Sequence, residues 1–561
     1  MAHSRVFDQL RNLLHLARDA ERLGGTLDDA RAERARAISR RQLLGGAAAA
    51  AGLAALAPLR AKAGPIRGQP RIAIVGAGLA GLVCADTLSR RGVACRLYEA
   101  HPGRVGGRVL SDRDTFPGQA SECGGEMIDT LHTTMLRYAR ELGLAREDYE
   151  RAPGEERYYF FGRHHAERDV VAQWRALVPR LQDDLRTLSG EPTFFSHTRQ
   201  DEILDQTDLA SYLGDRAADL PLAREVLIQA YIAEYGLEPH EQSCLNFLQF
   251  IHLDRRGHFA EFGQFSDERY HLVGGNDGVA RALAARLTDF GSPVLQGAAL
   301  TRLARRASGE FELYLNGASS PEVADAVVLT LPFGALRNVA LDASLGLSAD
   351  KLRAIRELGY GANVKTAVRF DRRVWADQGG NGGAYTDLDN VQNTWETNRA
   401  GSVGGAGILT DYAGGARGLD LQENPSGNFS CGGCHQGAPT NHVLHPAGRA
   451  WVNAQVEAFV HDLDRVFPGA AAAVSRRSDG TIVARRSHWT PQGFSRGSYT
   501  AYRPGQFTTI AGLEGQAAGA LKFAGEHTDS FYDWQGYMEG ACNSGVRAAG
   551  EVLDDLRNGR L

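Results

Sequence analysis

Lysine is nearly missing from this chain: of 62 basic residues only four are lysines, so arginine carries almost all of the positive charge. A lysine inside an apolar segment is therefore a singular event. Long hydrophobic runs are missing too. The most apolar stretch, Gly45 to Ala57, is Ala-rich and shorter than the roughly 20 apolar residues that cross a bilayer, so no stable membrane span is expected. Positive charge is also scarce once the start of the chain is set aside. The first 63 residues hold 11 basic and 6 acidic side chains, which leaves 51 against 61 and a net of −10 for the remainder. That balance disfavours nucleic acid as a partner and gives cationic ligands at most a weak, screened attraction. Cysteine is sparse, at seven, and those at 84, 95, 123, 244 and 542 lie in apolar segments and read as core residues. No internal repeat is visible.

At 561 residues, the chain is too long for one hydrophobic core, and two domains with appendages are expected. Residues 71–82 read RIAIVGAGLAGL, a β-branched run that ends in Gly76-x-Gly78-x-x-Gly81, with Glu99 closing the next strand-like segment, ACRLYEA. Gly76 permits the tight strand-to-helix turn, Gly78 lets the backbone approach a pyrophosphate, and Gly81 lets the helix pack on the strand. Glu99 is placed to accept hydrogen bonds from a ribose. The pattern predicts a dinucleotide site. A second glycine turn with flanking arginines, Arg104-Val-Gly106-Gly107-Arg108, suits a longer flavin-bearing cofactor, and FAGEHT (Phe523 to Thr528) and GYMEGA (Gly536 to Ala541) stand near the other end. Together these point to FAD.

With HLVGGNDGVARAL (271–283), VVLTLPFGAL (327–336), GANVKTAVRF (361–370) and HWTPQGFSRGSY (488–499) added in the same order, the chain from about residue 70 to 555 resembles the flavin-containing amine oxidase family of monoamine, polyamine and L-amino acid oxidases. The resemblance implies an α/β fold of amine oxidase type, in which a discontinuous Rossmann-like FAD-binding domain (70–150, 265–340 and 485–555) carries an inserted α+β substrate-binding domain (151–264 and 341–484). The helical spacing of LAREVLIQAYIAEYGL and CLNFLQFIHL predicts helices within 203–255, and KTAVRF and TIVARRSHW read as strands. The resemblance also implies cofactor contacts at Ala299, at Gly525 and Glu526, and at Gly536, Tyr537 and Met538, where GYMEG should open a helix aimed at the flavin.

For catalysis, the resemblance implies an aromatic cage of Tyr499 and Tyr537 that desolvates a substrate amine, with Trp489 packed near the flavin. Lys365 is the sharpest candidate: it sits in an apolar strand, and a lysine at this place in the family holds a water beside flavin N5. Pairing with a buried carboxylate is its structural alternative. Animal monoamine oxidases attach FAD through a cysteine directly before the cage tyrosine, whereas this chain has Ser498, so FAD is expected to be non-covalent. In place of the GAMR-like segment whose arginine binds an amino acid's carboxylate, the chain reads CGGEMIDT (123–130). Glu126 there lies either near the flavin and substrate ammonium or in a structural role, and Arg137 carries no mark of facing the site.

Ser39-Arg40-Arg41-Gln42-Leu43-Leu44, the Ala-rich stretch and Ala61-Lys62-Ala63 resemble a twin-arginine export signal, which implies the twin-arginine machinery as a partner and an exported protein, periplasmic or secreted. Residues 1–38 have no reading beyond a long lead. Cys431-Gly-Gly-Cys434-His435, with His442 and His445 in the loop 414–448, has the spacing of a c-type haem attachment, of a zinc site or of a plain thiol loop. The expected activity is oxidation of a small-molecule amine to an imine with O2 reduced to H2O2. The rivals are an L-amino acid oxidase and an electron-transfer flavoprotein with haem at the Cys-x-x-Cys-His loop. The sequence leaves a homodimer open.

Overall fold

The computed structural model describes residues 70–148, 154–251, 268–397, 405–421 and 446–561. The β-branched run Ile72–Val75 is buried throughout and forms the middle of a five-stranded sheet in the order Leu521–Phe523, Ala326–Leu329, Ile72–Val75, Cys95–Glu99, Val294–Gln296. Every pairing in this sheet is parallel. Both faces of this sheet are covered, one by helices and the other by an antiparallel layer that brings Leu300, Leu303, Phe311 and Leu313, and continuous apolar runs such as IAIV and AVVL supply the residues for both.

Gly76, at φ +104°, makes the turn from Ile72–Val75 into the helix Leu79–Ser89. A Cβ on Gly81 would stand 1.9 Å from the Gly76 carbonyl oxygen, so only glycine lets this helix settle on its own turn. The last helix, Met538–Arg557, packs against it at similar closeness: a Cβ on Gly545 would lie 2.4 Å from Ala80 O. Ile74, Leu82, Leu97, Val328, Ala548 and Val552 join these layers in one core.

A seven-stranded sheet forms the other large layer, in the order Ala484–His488, Val364–Phe370, Gly407–Ala413, Val391–Thr397, Gly380–Leu388, Glu155–Phe160, Arg163–His165. Its pairings are antiparallel except between Gly380–Leu388 and Glu155–Phe160. The strand Val364–Phe370 is buried at every residue but Arg369, so Lys365 lies within a fully covered sheet. The helical stretch resolves into Arg199–Gln206, Leu209–Arg216, Pro221–Tyr235 and Cys244–Ile251. Trp174, Leu213, Val226 and Phe247 from these and a neighbouring helix share a core with Tyr158 and Trp395 of the sheet. The five cysteines at 84, 95, 123, 244 and 542 are buried free thiols. Among the described residues, no helix is long and apolar enough to cross a membrane.

Candidate active site

A cavity opens at the carboxyl ends of the parallel strands, and both glycine turns line it, at Gly76 and Gly78 and at Gly106 and Gly107. The turns meet backbone to backbone: a Cβ on Gly107 would be 3.3 Å from the Gly78 Cα. Gly78 is the N-cap of Leu79–Ser89, with no side-chain cap and no acid in the first turn. Leu79 and Ala80 face the cavity, so the free N–H end of the helix offers an anion its donors and the positive end of its dipole. Gly81 does not line the cavity; its role is the helix packing described above.

Glu99 lines the same space at the end of its strand. Its carboxylate accepts from Ala77 N and His101 N, both at 2.7 Å. Burial raises this carboxyl above its usual range, and those two bonds oppose the rise. Arg104 donates to Gly107 O at 2.7 Å and lies 5.6 Å from the Trp489 ring. Trp489 in turn donates to Cys123 O at 2.8 Å, which pins the indole behind the cavity wall. Ala299 lines the cavity beside Ala298 and Leu300.

The C-terminal motifs close the other side through one carboxylate. Glu526 accepts from Arg108 at 3.0 Å on Oε1, and from the Gly536 N–H at 3.0 Å and Thr500 Oγ1 at 3.1 Å on Oε2. Arg108 also donates to Ser498 O at 2.8 Å. Thus FAGEHT, GYMEG, the second glycine turn and the segment around Tyr499 are tied at Glu526. Gly525, Glu526, Tyr537 and Met538 line the cavity, and Gly536, at φ +87°, turns the chain into Met538–Arg557 with Tyr537 as N-cap. The bare glycine backbones, the uncapped helix end, the strand-end carboxylate and the guanidinium groups fit a flavin dinucleotide. Sequence reasoning missed part of the wall: Thr330, whose hydroxyl donates to Val75 O and Gly76 O at 2.9 and 3.0 Å, and the segment Gln492 to Ser495. Both lie inside stretches the motifs had marked, TLPFG and TPQGFS.

Behind this wall is a buried polar interior. Lys365 donates to Glu126 Oε2 at 2.6 Å and to Gly124 O at 2.9 Å. Tyr499 shares a hydroxyl contact of 3.1 Å with Tyr412 and donates to Glu234 O. Burial raises both phenols well above their ordinary range, so they stay neutral. Glu268 and Glu126 are close enough to Tyr412 to add to that rise. Tyr537 lies edge-on to His132 and Trp534, with ring centroids 5.3 and 5.4 Å apart. Tyr499 is 3.8 Å from where a Cβ on Gly536 would stand, so the two expected cage residues fall in one neighbourhood. Ser498 donates to Asn363 Oδ1 at 2.6 Å. Arg137 is on the surface, 40% exposed and 3.9 Å from Glu141. The loop with Cys431, Cys434, His435, His442 and His445 lies outside the described residues, as do residues 1–69 with the export-like signal.

The family model described as flavin containing amine oxidoreductase matches residues 79–553. An L-amino-acid oxidase of Siganus canaliculatus is 24% identical, over 86% of this chain and 85% of that one. Among solved structures, a putrescine oxidase bound to putrescine superposes with a TM-score of 0.68 at 20% identity, covering 87% of this chain and 99% of that one. The cyclohexylamine oxidase from Brevibacterium oxydans IH-35A gives 0.69 at 19% identity, over 87% and 100%.

Proposed function

This chain belongs to the flavin-containing amine oxidoreductases, and from that premise we propose that it oxidises a primary or secondary amine to an imine, which water hydrolyses to an aldehyde, while O2 is reduced to H2O2. When bound, FAD supplies the two-electron acceptor for the substrate carbon and returns those electrons to O2. The residues present decide what can be presented to it. Tyr499, Tyr412 and Tyr537 are buried, exclude water and offer ring faces to an amine. The Glu126 and Glu268 carboxylates stand by Tyr412.

One observation carries the preference for amines. Arg137, the arginine nearest in sequence to CGGEMIDT, is spent at the surface beside Glu141, while Lys365 is neutralised by Glu126. With its lysine already matched by Glu126 and a further acid, Glu268, beside Tyr412, the interior suits an ammonium better than a carboxylate. A second reading, oxidation of an L-amino acid, draws on the likeness to the L-amino-acid oxidase of Siganus canaliculatus. Peroxide formation with panels of amines, polyamines and amino acids tests the choice, and peroxide from amino acids alone overturns it.

We further propose that FAD is held without a covalent bond, because a serine, not a cysteine, precedes Tyr499. Acid precipitation should release the flavin into the supernatant. Export by the twin-arginine route is proposed on the Ser39 to Ala63 pattern, and retention of the protein in the cytoplasm of cells with an intact pathway would remove it.

A further inference from the structure

The chain's rarest basic residue type has been given a dedicated acid. Glu126 Oε2 is 2.6 Å from Lys365 Nζ. Its other oxygen, Oε1, accepts from Thr397 Oγ1 at 2.6 Å and Trp395 Nε1 at 3.1 Å. The Thr397 hydroxyl is itself 2.9 Å from Thr410 Oγ1. The carboxylate is therefore held from both sides and cannot swing away from the ammonium. Glu126 is 2% exposed, and Lys365, Trp395, Thr397 and Thr410 are all buried. The ammonium also lies 5.3 Å from the Trp395 ring and 5.8 Å from the Tyr412 ring, whose faces attract a cation.

The pair is coupled to the cofactor cavity through a single residue. Gly125 lines that cavity, and its neighbours Gly124 and Glu126 supply the two acceptors for Lys365. The helix Met538–Arg557 packs close on this stretch of wall, since a Cβ on Gly125 would be 2.8 Å from the Met538 sulfur. A movement of Glu126 would thus move the cavity wall.

We propose that Glu126 is a positioning residue that clamps Lys365 as a permanently charged group behind the cofactor cavity, so that Lys365 acts as a fixed positive charge with one aimed N–H and does not pass its proton on. This rests on reading the cavity as the flavin site. An unpartnered ammonium in so dry a place would shed its proton to escape the loss of hydration, and a carboxylate in direct contact reverses that balance. Burial alone would raise the Glu126 carboxyl, but the Lys365 ammonium and the Thr397 hydroxyl outweigh it and leave it below its ordinary value. The other titratable groups facing the pair are Tyr412, Glu268 beside Tyr412, and His271, whose charge also favours the Glu126 anion.

The scarcity of lysine makes the clamp measurable. Flavin-loaded protein labelled with [6-13C]lysine gives one signal for each of its four lysines, and Lys365→Arg assigns the one of interest. In the native protein that signal should keep its charged-form position throughout the pH range in which the fold holds. In Glu126→Gln the proton affinity of Lys365 should fall at least about tenfold, since one pKa unit is about 1.4 kcal/mol of lost pairing. Flavin reoxidation by O2, flat with pH in the native enzyme, should then acquire a pH dependence that Glu126→Asp removes. If Glu126→Gln does not fold, Thr397→Val, which frees one side of the carboxylate, should shift the signal in the same direction by less. Identical titration in native and variant protein overturns the proposal, as does a native signal that titrates near neutrality with the reoxidation rate following it. The resonance is read without substrate, so a failure here leaves the amine reading standing, and an enzyme inactive on every amine leaves the clamp standing.

Discussion

The two sides of the Gly125 wall are made differently. On the cofactor side, the surface is largely backbone: glycines where a Cβ would collide, and a helix end left without a cap. On the interior side, the wall is backed by side chains brought from distant segments, with Lys365, Glu126, Trp395, Thr397, Tyr412 and Tyr499 meeting through hydrogen bonds across up to 271 positions of sequence. A backbone-built surface tolerates no substitution where a Cβ would collide, as at Gly76 and Gly106, but says little about what is bound beyond an anion. A side-chain-built surface is the part that can be retuned one residue at a time.

The contrast breaks most severely at Gly81. Gly81→Val should yield no flavin-loaded protein, because the added Cβ would sit 1.9 Å from the carbonyl oxygen of Gly76 and displace that cavity-lining turn; a native ratio of flavin to protein absorbance would refute the backbone-built account. Lys365→Met should keep its flavin yet lose on the order of a hundredfold in turnover, the scale of removing one preorganised charge, with flavin reoxidation slowed far more than reduction. Stopped-flow measurement of the two half-reactions separates them. Glu539 caps the helix Thr133–Glu141 by accepting from Thr134 N and Met135 N at 2.8 and 2.9 Å, so Glu539→Ala should cost about 2 kcal/mol in denaturant unfolding, while Glu539→Gln, which keeps one acceptor, should cost less.

A pH test sharpens the comparison where the two sides meet. His271 is buried between Glu122 at 2.9 Å and Glu147 at 2.8 Å. Burial opposes its charge, but the bonds to Glu122 and Glu147 outweigh burial and carry its pKa up to about 10. The folded value is raised, so this stabilisation is complete below about pH 6.5, the ordinary histidine value, and is lost as pH climbs through the folded one. The difference in unfolding free energy between native protein and His271→Gln should therefore be widest near neutral or mildly acid pH and narrow in alkali; a constant difference would show His271 uncharged. The smallest effect is expected at Arg137, where Arg137→Ala should change stability by less than about 0.5 kcal/mol and leave the choice between amines and amino acids as it was. A large loss of amino acid turnover in that variant would bring the amino acid reading forward.

This difference in construction also sets what could be read from the sequence. Gly76, Gly78, Gly81 and Glu99 are separated by a few residues or one βαβ unit, so their spacing alone states the turn, the helix start and the acid at the strand end. The full parallel sheet and the helix from Met538 were legible only through the family resemblance, since the remaining strands come from segments about two hundred residues or more further along. Lys365 stood out by its rarity and its apolar neighbours. Its partner did not, because Glu126 is 239 positions away and the segment CGGEMIDT carries no periodicity that tells which way the acid points. Trp395, Thr397 and Tyr412 lie on strands of the seven-stranded sheet whose register no local pattern fixes. Thr330, inside a recognised stretch, was passed over because its task is to hold two backbone carbonyls, which composition does not reveal.

The order of strands in the parallel sheet has a consequence for how the molecule is made. Its middle strand, Ile72–Val75, emerges early in synthesis, its neighbour Ala326–Leu329 more than two hundred residues later, and the edge strand Leu521–Phe523 almost at the end. The glycine turns are translated first and can meet each other early, but the Glu526 side of the cavity is added only when the ribosome has nearly finished, and such long-range closure is slow. Nascent chains halted anywhere before about residue 540 should therefore hold no flavin, however much of the aromatic interior they already contain.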